Sequence, residues 1–183
     1  PFAVEDKYDG IRLQAHVGAE RIVLVSRTLD DVTVSYPEVA AALRTLPPGL
    51  VLDGEVVALE RDAGERIAPF RTLQQRLGRK RPSADLIARV PVAYVVFDVI
   101  AEDASLVIDE PYRERRGRLA RHTWPAPTVR LAPSALASDA EAVEAAFVAA
   151  RAAGNEGIVA KDPGAPYTPG RRGKTWIKLK RPL

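Results

Sequence analysis

The sequence predicts an α+β fold of antiparallel β-sheets flanked by helices. Three observations carry that prediction. Strand candidates come in pairs close in sequence. They lack the regular alternation with helices that a parallel sheet demands. The size fits as well: 183 residues, 46% of them hydrophobic, suffice for one domain or at most two small ones.

Each element has its own signal. Residues 11–17, IRLQAHV, alternate apolar and polar in the manner of a half-buried strand. Residues 21–26, RIVLVS, form a more apolar strand. Pro37 opens a short helix through Leu46, which Pro47-Pro48-Gly49 stops. LVLDGEVVAL, residues 50–59, reads as strand, and PFRTLQQRLG, residues 69–78, as a helix from Pro69 to Gly78. VAYVVFDVI, residues 92–100, is a central, mostly buried strand. Residues 112–121 make an Arg-rich helix with its charges largely outward, and Arg115, Arg116, Arg118 and Arg121 either touch DNA or coat the helix, the coat being the favoured reading. Three prolines make 122–137 an extended connector. Ser138-Asp139-Ala140-Glu141 is a capping box opening a helix to Ala153, and Gly154 ends it. GIVAK at 157–161 and WIKLK at 176–180 are two closing strands around a Pro/Gly-rich loop.

Composition excludes several classes. The chain has no cysteine and two histidines, which removes thiol catalysis and disulfides and argues against a structural zinc site. The run 90–97 is uncharged and largely apolar but has only eight residues, against the roughly 20 a membrane helix needs. Starting at Pro1 without any methionine, the chain reads as a fragment of a longer cytosolic protein.

Charge is distributed unevenly. Residues 170–183 carry Arg171, Arg172, Lys174, Lys178, Lys180 and Arg181 without an acid, which leaves residues 1–169 at net −3. Such a segment suits a polyanion and equally suits a solvated tail. The 27 cations comprise 21 Arg and only Lys7, Lys80, Lys161, Lys174, Lys178 and Lys180. Where arginine is the default cation, a retained lysine marks a position that needs an amine able to lose its proton, or a compact ammonium.

Four segments can carry chemistry. In Glu5-Asp6-Lys7-Tyr8-Asp9-Gly10-Ile11-Arg12, the plain reading is an exposed turn at Asp9-Gly10. The functional reading makes Lys7 a nucleophile, which requires desolvation or neighbouring cations such as Arg12, Lys178 and Lys180 to lower its pKa. Asp53-Gly54-Glu55 is either a hairpin turn or part of a buried strand, where Glu55 needs a metal, a cation or a ribose hydroxyl. Asp98 and Glu156 pose the same question, and two or three such acids can hold Mg²⁺. In WIKLK, alternation puts Trp176, Lys178 and Lys180 on one face, with the lysines roughly 7 Å apart, as successive phosphates are. An edge strand guarded by lysines explains that motif alone as well. Gly170 to Thr175 ends like a phosphate-binding P-loop, but Thr168 stands where the motif requires glycine.

Taken in order, these segments resemble the covalent nucleotidyltransferases, and among them the ATP-dependent DNA ligases. Lys7-Tyr8-Asp9-Gly10-Ile11-Arg12 matches the family's lysine motif. Ser26-Arg27, Asp53-Gly54-Glu55, Phe97-Asp98, Glu156-Gly157-Ile158-Val159-Ala160-Lys161 and Trp176-Ile177-Lys178-Leu179-Lys180 are similar to the motifs that follow it. The resemblance implies an ATP-grasp-like adenylation domain over residues 1–183, a fragment of a longer ligase lacking its C-terminal OB-fold. It implies that Lys7 attacks the α-phosphate of ATP to form lysyl-AMP, that AMP passes to the 5′-phosphate of a nick in double-stranded DNA, and that the 3′-hydroxyl seals it. Phe97 would stack on adenine with Glu5 near the base. Arg12, Arg27 and Glu55 would contact ribose or phosphates, and Lys178 and Lys180 the α-phosphate and leaving group. Glu55 and Glu156 would hold Mg²⁺ or Mn²⁺. A monomer in the cytoplasm, associated with the nucleoid of a bacterium, is expected, in DNA repair, recombination or replication. The rival readings are an RNA ligase, a capping-type guanylyltransferase, and a non-catalytic module binding nicked DNA.

Overall fold

The computed structural model describes residues 1–62, 65–170 and 174–180, so Arg171, Arg172 and Arg181 of the basic segment lie outside the described residues. The strands are β1 (Phe2–Lys7), β2 (Ile11–Val17), β3 (Ile22–Ser26), β4 (Leu50–Ala58), β5 (Val92–Glu102), β6 (Ser105–Leu106), β7 (Val129–Leu131), β8 (Ser134–Ala137), β9 (Gly157–Lys161) and β10 (Trp176–Lys180). The helices are α1 (Pro37–Leu43), α2 (Phe70–Leu73), α3 (Ala84–Arg89), α4 (Tyr112–Ala120) and α5 (Ala140–Ala152). Asp139 caps α5, accepting a bond from the Ala142 amide at 2.8 Å.

Two sheets result. One runs β10-β9-β1-β8 and the other β3-β2-β4-β5-β6, with β7 also on β5. Every ladder is antiparallel except β5 with β7. Residues that face each other across a ladder share a side of the sheet, so each sheet divides its residues cleanly. On the β1 sheet, Val4, Ala137 and Ile158 pack with Val143, Ala146 and Ala150 of α5. On the β4 sheet, Leu13, Ala15, Leu52, Val56 and Val96 build the main core beside Val39 and Leu43 of α1. The other face of each sheet carries charged and aromatic residues, joined on the β4 sheet by the buried Val57, Ala93 and Val95, and these two faces meet.

The fold adds to and corrects the element expectations. Residues 2–7, which had no assigned element, are strand, with Glu5 and Lys7 on the cleft face and Asp6 on the other. The helix expected over 69–78 is one α-turn followed by a 3₁₀ turn, Gln74–Arg76. Residues 122–137 are not a bare connector: β7 and β8 lie there and complete one sheet each. The Arg-rich helix α4 points only part of its charge outward: Arg113 and Arg121 are exposed, but Arg115 is fully buried and Arg118 binds Glu102 and Glu110.

Candidate active site

The β1 sheet supplies one wall. Across it run three rows: Lys7, Gly157 and Lys180; Glu5, Val159 and Lys178; Ala3, Lys161 and Trp176. Three motifs far apart in sequence therefore share one face. β10 is an edge strand, as the guarded-edge reading had it, and its lysines also belong to the cleft face. Gly157 has to be glycine, because a Cβ there would stand 2.0 Å from the Leu179 carbonyl oxygen and β10 could not keep this register.

The β4 sheet supplies the opposite wall. Arg12 faces Glu55, Gln14 faces Asp53, and Asp53 faces Asp98. The register slips between Asp53 and Gly54, so Phe97 is an extra residue in β5. A bulge of this kind re-aims a side chain next to a site. Phe97 packs edge-on against Trp176 at 5.9 Å, and the Arg12 guanidinium lies 5.6 Å from its ring centre. Aromatic and cation contacts thus join the two walls.

The carboxylates within the strands have distinct partners. Asp53 takes a two-pronged bond from Arg12, at 3.0 and 2.6 Å, and accepts from the Tyr167 hydroxyl at 2.7 Å. Asp98 is held the same way by Arg115, at 2.8 and 3.1 Å. Glu5 is buried with Lys161 and accepts from Tyr112, with Arg116 at 3.6 Å. The Lys161 ammonium in turn lies 4.3 Å from the Trp176 ring centre and 4.9 Å from that of Phe97. These are satisfied pairs, as buried charges must be. Their effect is to fix the floor of the cleft.

Lys7 and Glu55 stand apart from that pattern. Burial lowers the Lys7 pKa, the Lys178 and Lys180 ammonium groups lower it further, and Glu55 and Asp9 oppose them. Glu156 pairs directly with the amine. The chain places it there through the Glu156 amide, which donates to the Lys7 carbonyl at 3.0 Å, and through Asn155, whose side chain donates to Asp6 at 2.9 Å. Burial pushes the Glu55 carboxyl up to about 7, against a bond from the Gly10 amide and the charges of Lys7 and Arg12. Gly10 is obligate in the same way: a Cβ would meet the Val56 carbonyl oxygen at 2.1 Å. A carboxyl pushed up in this way gains from any cation that arrives. Among the described residues no group of three or more His, Asp or Glu side chains forms a closed metal cage. Glu55, which accepts from the Gly10 amide, and Glu156, which pairs with Lys7, fit Mg²⁺ as carboxylate ligands, since that ion takes one or two of them and fills its remaining positions with water and phosphate oxygens.

The structure gathers Lys7, Arg12, Glu55, Phe97, Glu156, Lys178 and Lys180 around one cleft, with Glu5 beneath. Arg27 is not in contact with them; it stands exposed just after β3. Sequence reading gave no role to Asp53, Arg115, Lys161 or Tyr167. The scarcity of lysine was a usable signal for Lys161, one of six. For Arg115 the signal ran the wrong way, because an Arg-rich helix reads as solvated until Asp98 is known to lie under it.

The family model described as the ATP dependent DNA ligase domain matches residues 1–180. The chain belongs to that family. A probable DNA ligase of Koribacter versatilis is 41% identical across 98% of this chain and 35% of its own length. The DNA ligase of Thermococcus fumicolans is 37% identical over 97% of this chain and 32% of its own. The chain thus spans about a third of these relatives. A solved mycobacterial DNA ligase D, complexed with ATP and MES, superposes with a TM-score of 0.77 at 29% identity, covering 98% of this chain and 54% of that one. No helix among the described residues is long and apolar enough to cross a membrane.

Proposed function

We propose that the chain is the adenylation domain of an ATP-dependent DNA ligase, with Lys7 as the nucleophile. The observation that carries the reading is the row of Lys7, Gly157 and Lys180, with Lys178 beside it and Glu55 and Glu156 at the same amine. The neutral Lys7 amine bonds to the α-phosphorus of ATP while the bond to the bridging oxygen breaks and pyrophosphate leaves. Lys178 and Lys180 neutralise the α-phosphate and the departing charge, the main requirement in such transfers. Arg12, held rigid by Asp53, contacts ribose or phosphate, and Arg27 approaches from the end of β3 with the nick. Phe97 stacks on the base above Glu5. Glu55 and Glu156 would hold Mg²⁺ or Mn²⁺, which when bound neutralises phosphate oxygens. In the next step a 5′-phosphate oxygen of the nick attacks the lysyl-AMP phosphorus and frees Lys7. The 3′-hydroxyl then attacks the activated 5′-phosphorus and AMP departs.

The greater length of the relatives supports reading residues 1–183 as one domain of a longer ligase. A monomer acting in the cytoplasm at the nucleoid, in DNA repair, recombination or replication, fits this reading. Lys7→Arg tests the nucleophile, since a guanidinium keeps its charge but not a free amine. The variant is expected to bind ATP within a few-fold of the unsubstituted chain by calorimetry and to form no covalent AMP adduct. A stable adduct on Lys7→Arg would refute the role.

A further inference from the structure

We infer that the exposed segment Arg79-Lys80-Arg81 is a docking rim for the phosphate–deoxyribose backbone of the nicked duplex; the inference rests on the ligase reading. Three consecutive cations are a local exception in a chain whose residues 1–169 are net negative. All three side chains are exposed, and none makes an ion pair among the described residues.

The segment is anchored from below. Arg76, fully buried, donates to the Val90 carbonyl at 2.9 Å, the Ser35 carbonyl at 3.0 Å and Glu38 at 2.7 Å. A buried guanidinium is costly unless so paired, and here its pairing fixes the base of the rim. The Ser35 hydroxyl donates to the Lys80 carbonyl at 3.3 Å, and Gly78, at φ +69° in open space, turns the chain outward. Beneath lies a cavity of about 230 Å³ with Ile11, Leu13, Val32 and Leu77 in its floor and no carboxylate in its described lining. Glu38 is paired with Arg76, whereas Asp30 and Asp31, which accept from the Thr28 and Thr33 hydroxyls, keep their charge. Ser26 lines the same cavity, so Arg27 follows at its edge, and Ile11 opens β2 four residues after Lys7. A cationic lip over an apolar floor suits phosphates and deoxyribose rings, and a backbone lying there passes Arg27.

The test replaces Arg79, Lys80 and Arg81 together by Gln in the full-length chain that contains these residues. Binding of a labelled nicked duplex is titrated from 50 to 200 mM salt, and AMP adduct formation is measured in parallel. Affinity is expected to fall about tenfold or more, and the slope of log K against log salt to flatten by about 2, since each lost phosphate contact removes about 0.9. Adduct formation should stay within about twofold. A control variant, Arg21→Gln with Arg44→Gln, should leave affinity and slope nearly unchanged. Unchanged binding would overturn the rim, and so would an equal loss in the control. Weaker binding with an unchanged slope would mean that no phosphate contact was lost, and would also overturn it. Should the unsubstituted chain form no adduct, the ligase reading fails on that evidence while the titration still decides the rim.

Discussion

At the scale of the residue, the chemistry turns on one proton. In the proposed reaction Lys7 attacks only after losing it, and burial together with Lys178 makes that loss easier. The sign follows: neutral amine accumulates at lower pH than on a free lysine. The same shift makes folding less favourable as pH falls through the lowered pKa, because the unfolded chain holds the proton more tightly. Single-turnover adduct formation should therefore rise about tenfold per pH unit and level off with a midpoint below about 10.4. Lys178→Ala should move that midpoint upward by removing a repelling charge. A rate still climbing beyond the ordinary lysine pKa, or a midpoint indifferent to Lys178→Ala, would contradict this account of the amine. Lys7 and the lysines of WIKLK were legible because alternation and motif order place them without knowledge of the fold. Tyr167 was not legible: a lone tyrosine in a Pro/Gly-rich loop carries no signal until its hydroxyl is seen on Asp53 and its ring beside Trp176.

At the scale of the element, buried charge does the aligning. The pair of Asp98 on β5 and Arg115 on α4 has no exposed side-chain surface on either partner. Arg115 also donates to the carbonyls of Glu110 and Ala165, so it ties the loop after β9 to the sheet beneath the cleft. Arg115→Leu leaves Asp98 charged and unpaired, a change that costs about 3–5 kcal/mol. A drop of roughly 10 °C in melting temperature is expected, since domains of this size lose about 2–4 °C per kcal/mol. Arg121→Leu, at an exposed position, should shift melting little, and equal effects from the two variants would contradict the role given to Arg115. The strands at 11–17, 50–59 and 92–100 were readable from alternation and β-branched runs because one or both of their faces are apolar. β1 was not, because Glu5, Asp6 and Lys7 break the pattern where the strand borders the site. β7 and β8, three and four residues long among prolines, are too short for periodicity to register.

At the scale of the whole molecule, two antiparallel sheets turn their apolar faces to helices and their charged faces to each other. That arrangement explains why residues as distant as Lys7, Glu55, Glu156 and Lys178 converge. It also explains why the α+β class was legible from strands paired close in sequence, whereas the partners beneath the cleft depend on long-range pairing that no local pattern encodes. The central claim is that this convergence makes a covalent AMP carrier. The measurement that tests it most directly is the intact mass of the protein, taken after ATP with Mg²⁺, after GTP with Mg²⁺, and again after pyrophosphate. The expected result is a gain of one AMP with ATP alone, removed by pyrophosphate and absent from Lys7→Ala. A GMP adduct in its place, or no adduct in the full-length chain under any of these conditions, would contradict it.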